Sequence, residues 1–345
     1  MSVERLGRRR QAESHPPASL AGVMTDPEQL CDELQLGSDV AVSARAASAT
    51  FGLRVPRVFV DRMERGNLED PLLRQVLPVP EELDPAPGFV DDPLEESAAS
   101  PLPGVLHKYH GRVLLMVSGA CAVHCRYCFR RHFPYGDHQL VGDRLSAAID
   151  YLESDPSIRE VILSGGDPLS ASNAYLADLV GRLSSIRHLR WLRVHTRMPI
   201  VLPQRIDDRC LDWLTGSRLR PLVVVHCNHA NEIGAEVLSC LTALRSRGVL
   251  LLNQSVLLAG VNDSVDALCE LSHRLVEAGV MPYYLHLLDP VAGAAHFEVT
   301  EETARELMVG VAARLPGYLV PRLVREVAGA EAKLLVPAGR SAILP

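Results

Sequence analysis

From about residue 110, short apolar and β-branched runs return at a steady interval: RVLLMV (112–117), EVILSG (160–165), WLRVHT (191–196), PLVVVHCN (221–228), VLLLNQSVLL (249–258) and PYYLHLLD (282–289). Most of their starts lie roughly thirty residues apart, the length of a strand, a helix and their connections. Between them the apolar positions take up helical spacing, as in AYLADLVGRLSSI, GAEVLSCLTALRSRG and VDALCELSHRLVEAG. The last two end in the glycine expected just past a helix C-terminus. Continuous apolar strands alternating with helices predict a parallel sheet covered on both faces. Six such units are too few for a closed eight-stranded barrel; they predict an α/β fold, a partial, open (βα)6 barrel.

Polar residues collect where each strand stops: SGACAVHCRYC, SGGDPL, HTR, HCNHANE, NQS and HLLD. In parallel α/β folds the reacting groups sit at the C-terminal strand ends, so these runs mark the candidate site.

The pattern differs before the barrel. Residues 1–77 read as helical, most clearly in PRVFVDRMERGNLEDPLLRQVL (56–77). Residues 78–105 form an acidic, proline-rich connector. Seven acidic residues and no Lys or Arg between 78 and 103 predict extended, solvated chain there. The barrel then spans 106–333 and a tail spans 334–345.

Composition narrows the function classes. The chain is 47% hydrophobic and 22% charged, as globular proteins are. A net charge of −7 argues against non-specific nucleic-acid binding. The basic run MSVERLGRRR is not followed by the apolar stretch of a signal peptide, and no run of about 18 apolar residues is present. The expectation is a cytoplasmic protein with no membrane span.

Five of the eight cysteines are scattered singly, while Cys121, Cys125 and Cys128 stand in CAVHCRYC, a C-x3-C-x2-C spacing. One short loop can turn three such thiolates toward a single point. Three thiolates hold three irons of a [4Fe-4S] cluster and leave the fourth iron open. A zinc site completed by His124 or His132 is the alternative, and His226 with His229 leaves a second metal pairing open. Of the 35 Lys and Arg residues only two are lysines, Lys108 and Lys333. Charge does not explain those exceptions, but chemistry does: a lysine amine can condense with an aldehyde and a guanidinium cannot form a stable imine.

The motif CAVHCRYC at the end of the first barrel strand, followed one strand later by SGGDPL, resembles the radical S-adenosylmethionine (SAM) enzymes. VLHKYHGRVLLMVSGACAVHCRYCFRRHFPY, HCNHANE, NQSVLLAGVND, PYYLHLLD and the late lysine narrow the resemblance to the lysine 2,3-aminomutases, over residues 22 to 333. The likeness is strongest to the short bacterial form, which makes (R)-β-lysine for elongation factor P and lacks a long C-terminal extension.

That resemblance implies a radical SAM barrel and an isomerase that moves the α-amino group of L-lysine to the β-carbon. It implies three cofactors: a [4Fe-4S] cluster on Cys121, Cys125 and Cys128, SAM, and pyridoxal 5′-phosphate (PLP) held covalently by Lys333. Arg112, with Lys108 near it, is placed on the PLP phosphate. Ser164, Gly165, Gly166, Asp167, His226, Gln254 and Ser255, with Asn228, are placed on the SAM side. Arg130 matches the substrate-carboxylate position, and Asp289 and Glu326 match the pair that holds the far amine. Implied partners are a flavodoxin- or ferredoxin-type electron donor, and elongation factor P with the synthetase-like enzyme that attaches β-lysine to it. A homo-oligomer stays open. An aminomutase for another amino acid and a zinc-holding, non-catalytic module are the competing readings. Two acids at 289 and 326 suit a cationic side chain and would repel glutamate.

Overall fold

The structure is a computed structural model and describes residues 22–339. The basic N-terminal run, the first part of the region read as helical and the last residues of the tail lie outside the described residues. Strand β1 (Val23–Met24) leads into helix α1 (Pro27–Leu34) and helix α2 (Ser38–Ala47). The Asp26 carboxylate caps α1 by accepting from the Glu28 N–H (3.0 Å), with Pro27 at the first helical position. Strand β2 (Val55–Pro56) pairs back on β1, and α3 (Arg57–Val60) follows.

Here one expectation fails. The run 56–77 yields only the four residues of α3, and residues 61–77 are turns. Gly66 sits at φ +74°, where a helix cannot continue. The Asp70 carboxylate accepts from the N–H groups of Leu72 (2.8 Å) and Leu73 (2.9 Å), which offers the backbone an alternative to a helix ladder. Most apolar positions of this stretch, among them Phe59, Met63, Leu72, Leu73 and Val76, are still buried, so the pattern reports burial and not helix.

The barrel follows in order: β3 (Val105–Tyr109), β4 (Arg112–Ser118), α4 (Asp143–Ser154), β5 (Glu160–Gly165), α5 (Asn173–Ser185), β6 (Trp191–Thr196), α6 (Met198–Val201) and α7 (Asp208–Thr215). Then come β7 (Arg220–Val225), α8 (Ala235–Ser246), β8 (Leu250–Val256), α9 (Val265–Glu277), β9 (Met281–His286), α10 (Glu301–Arg314), β10 (Arg322–Arg325) and β11 (Leu334–Leu335). All six apolar runs are strands. The nine-stranded sheet has the order β11-β10-β9-β8-β7-β6-β5-β4-β3. Strands β4 to β10 pair in parallel, with β3 and β11 added antiparallel at the two edges. The order is linear, so the barrel is open.

Gly248 (φ +79°) and Gly279 (φ +76°) follow α8 and α9 in the left-handed region, as their positions predict. Helix α5 buries Leu176, Leu179, Val180 and Leu183 at i, i+3, i+4 and i+7. Each such side chain contributes roughly 1.5–3 kcal/mol of burial. The strands alternate. Leu192 and Val194 of β6 are buried on the helix side, while Arg193 and His195 face inward and line a cavity. Gln254 and Val256 of β8 and Tyr284 and His286 of β9 do the same.

Candidate functional site

The inward faces and strand ends enclose a cavity of about 540 Å³. Every residue assigned to a cofactor or substrate from the sequence lines it: Cys121, Cys125, Cys128, Arg130, Arg112, the Ser164–Asp167 turn, His226, Gln254, Ser255, Asp289, Glu326 and Lys333.

The cysteine loop leaves β4 and is gripped from outside the barrel. Arg126 donates from Nε (2.7 Å) and Nη2 to the Glu82 carboxylate, and Arg131 Nη2 donates to the same group (2.6 Å). Arg130 donates from Nε (2.6 Å) and Nη2 (2.8 Å) to the two oxygens of Glu96. Both glutamates belong to the connector, which corrects the reading of 78–105 as simply solvated chain. Most of it is exposed, but Glu82 is 6% exposed and Glu96 3%. Three buried guanidinium groups need anions, and the connector supplies them. Removing one partner of a buried pair leaves an uncompensated charge, at a cost on the order of 3–5 kcal/mol. Glu82→Gln is therefore expected to lower the thermal unfolding temperature and the iron content together. Calorimetry and iron analysis matching wild type would show that the pair holds nothing in place.

The SGGDPL turn packs directly on the cysteine loop. Gly166 N–H donates to Ser118 O (2.7 Å) and Asp167 N–H to Ala120 O (2.8 Å). A Cβ on Gly165 would meet Ser118 O at 2.4 Å, and one on Gly166 would meet Ala120 O at 2.7 Å and Cys121 Sγ at 3.0 Å. The glycines are thus required for the approach of backbone to backbone beside a sulfur. The Asp167 carboxylate is spent inside the protein: it accepts from Thr196 Oγ1 (2.8 Å), the Arg197 N–H (2.8 Å) and the Leu169 N–H (3.0 Å), tying the end of β5 to the end of β6. Ser255 is spent likewise, donating to Cys227 O (2.9 Å) and accepting from Asn253 Nδ2 (2.8 Å). Asn228 donates to Tyr127 Oη (2.7 Å) and Gln75 Oε1 (3.0 Å). These three side chains are tied into the framework, and all three residues line the cavity.

The sulfurs suit a cluster. Burial pushes the Cys121 and Cys128 thiols up, and the neighbouring cysteines push them further, so three thiolates here need a cationic centre between them. Each histidine that a zinc site would recruit has one ring nitrogen on a backbone carbonyl. A ring nitrogen of His124 bonds Gly52 O (2.8 Å), and one of His132 bonds Ala292 O (3.1 Å). His229 Nδ1 accepts from the Asn231 N–H (3.2 Å).

The opposite end of the cavity is built from opposed charges. The β10–β11 hairpin pairs Arg325 with Leu334, which sets Glu326 opposite Lys333. Lys333 Nζ donates to Glu326 Oε2. Lys108, on β3, lies 3.5 Å from Glu326 Oε1 and 3.4 Å from Glu96 Oε1. The two lysines of the chain therefore meet at one carboxylate. Burial pushes Glu326 up, but Lys333 and then Lys108 more than offset that and hold it at about 2. Among the described residues Asp289 has no such partner within bonding distance. Burial first, and the Glu326 charge second, push it up to about 7.

His195 and His286 stand in the strand-end runs HTR and HLLD, but neither receives an individual role from the sequence. Both line the cavity beside His226, and the Nε2 of each of the three is buried without a partner. Burial pushes all three far down, His226 to about 4 and His286 to about 3, so the rings are neutral at pH 7. Orphaned polar atoms around a cavity of this size fit a polar organic group. The signal was present in WLRVHT, where every second residue is polar or aromatic, and in the Tyr284 and His286 alternation of PYYLHLLD.

A family model described as a 4Fe-4S single cluster domain matches residues 110–192. A protein of Escherichia coli (strain K12) named L-lysine 2,3-aminomutase is 50% identical over 91% of this chain and 92% of its own length. One of the same name from Haemophilus influenzae is 46% identical over 92% of this chain and 94% of its own length. A third, from Clostridium subterminale, is 37% identical over 80% of this chain and 66% of its own.

Proposed function

The chain belongs to the radical SAM lysine 2,3-aminomutase family, and from that premise we propose that it converts L-α-lysine to (R)-β-lysine with PLP as a third cofactor and supplies the product for modification of elongation factor P. One observation carries the reading: a lysine able to bind an aldehyde and two acids able to bind an ammonium line the same cavity as three cysteines. Bound there, the cluster and SAM supply a hydrogen-abstracting radical, and PLP supplies the π-system that carries nitrogen between carbons.

The chain's own residues do the rest. Lys333 anchors the aldehyde, with Glu326 orienting its amine. Arg112 and Lys108 offer cations to a phosphate. Arg130, held at Nε and Nη2 by Glu96, keeps Nη1 toward Ser164 Oγ (3.3 Å) and the cavity, where it can meet the substrate carboxylate. The three neutral histidines add hydrogen-bonding capacity without adding charge.

Asp289 and Glu326 receive the substrate's far ammonium. A carboxyl titrating near 7 is neutral below that pH and charged above it, while the ammonium stays charged throughout. The expected result is that kcat/KM for lysine climbs as pH rises through about 7. Asp289→Asn removes that limb and raises KM on the order of 30-fold, from about 2 kcal/mol for losing one partner of a buried pair. A pH profile of the variant that overlays wild type would remove the carboxylate from substrate binding.

The direct test is anaerobic incubation with L-lysine, SAM, PLP and a strong reductant, followed by chiral analysis of the products. (R)-β-lysine supports the reading, and lysine recovered unchanged while SAM is cleaved would overturn it. The elongation factor P step is tested by adding that protein and its synthetase-like partner and measuring β-lysyl attachment by mass spectrometry.

A further inference from the structure

We propose that Arg197 sets the reduction potential of the iron–sulfur cluster through a hydrogen bond from Nη1 to Cys125 Sγ. The two atoms lie 2.8 Å apart. Arg197 ends the HTR run at the tip of β6 and is 4% exposed. Its position is fixed from several sides. The backbone N–H is held by Asp167 (2.8 Å), Nη2 donates to Gln75 Oε1 (2.6 Å) and Glu232 Oε2 (3.0 Å), and the guanidinium stands 5.7 Å from the centre of the Tyr127 ring. Glu232 is fully buried and is held in turn by the N–H groups of Asn228 (2.8 Å) and His229 (3.0 Å).

A guanidinium is planar, always charged and presents its donors in a rigid fork. Aimed at a cluster sulfur from a buried position, such a donor stabilises the more electron-rich state of the cluster. One electron passes from a low-potential one-electron donor to the cluster. No proton moves, because the arginine is charged before and after. Glu232 opposes the effect, since its negative charge lies beside the same guanidinium. The pair thus forms a fixed dipole whose positive end touches the sulfur.

The experiment is a redox titration of the reconstituted full-length protein, followed by electron paramagnetic resonance (EPR), without lysine or PLP. It therefore reads this proposal independently of the aminomutase assignment. At equal iron and sulfide content, Arg197→Gln is expected to make the cluster harder to reduce. The ratio of reduced to oxidised cluster at fixed ambient potential falls about tenfold, or about 59 mV for a one-electron couple. Glu232→Gln is expected to shift the ratio the other way. Midpoints equal to wild type in both variants would overturn the proposal. Where a variant fails to hold its cluster, the wild-type protein decides: with 15N-guanidino-labelled arginine, pulsed EPR of the reduced cluster is expected to reveal a 15N coupling, and its absence overturns the hydrogen bond.

Discussion

Lys333→Arg is expected to carry no phosphopyridoxyl group after incubation with PLP and borohydride reduction, whereas the wild-type chain carries one on the peptide containing residue 333. The substitution is chosen because it leaves the electrostatics nearly intact. An arginine at 333 can still pair with Glu326, so Glu326 is not left as an unpaired buried charge. What is lost is the nucleophilic amine. β-Lysine formation is expected to fall below detection while the cluster still assembles, because its three cysteines are unchanged. Peptide mapping has few possible answers, since the chain has only two lysines. Both meet Glu326, so the alternative is close in space: Lys108 Nζ lies 3.5 Å from the same carboxylate. Label on Lys108 would move the anchor to β3 and refute the role given to Lys333. Label on neither would remove covalent PLP from the mechanism.

Serine at Cys121, Cys125 or Cys128 is the second large effect. Each sulfur lines the cavity, and a hydroxyl is a far poorer ligand for iron than a thiolate. Each single variant is expected to lose most of its iron and to release no 5′-deoxyadenosine from SAM under strong reductant. Unchanged iron and SAM cleavage in all three would dismiss the cluster. The buried Cys210, Cys240 and Cys269 sit on α7, α8 and α9 and provide the contrast. Alanine at these positions is expected to cost about 1 kcal/mol of packing each and to leave iron binding unchanged.

How much of this the sequence made legible depends on the distance over which each signal acts. The barrel strands were visible because parallel strands covered on both faces are apolar along most of their length. The cysteine motif was visible because its three residues lie within eight positions. The runs HTR and HLLD marked strand ends, but no local signal says that His195 and His286 turn into one cavity beside His226. Strands β10 and β11 have four and two residues, too short for a period to register. Glu82 and Glu96 were hidden for a different reason. An acidic, proline-rich stretch reads as solvated, and nothing local says that its arginines wait 44 and 34 residues further on. Residues 56–77 had a helical pattern, but Gly66, Pro71 and the Asp70 side chain broke the ladder that the pattern implied.

The connector's two glutamates also bear on the order in which the site is assembled. A chain made from its N-terminus exposes Glu82 and Glu96 before the arginines they neutralise, so those arginines emerge into a setting where their anions already exist. Lys108 is in the reverse position. It precedes Glu326 by 218 residues, against 44 from Glu82 to Arg126. Closing the longer loop costs about 1.4 kcal/mol more in chain entropy. The sulfur end of the cavity can therefore condense while the barrel is still growing, with Lys108 leaning on Glu96 alone (3.4 Å). The amine end is completed only when the last parallel strand, β10, brings Glu326 into place.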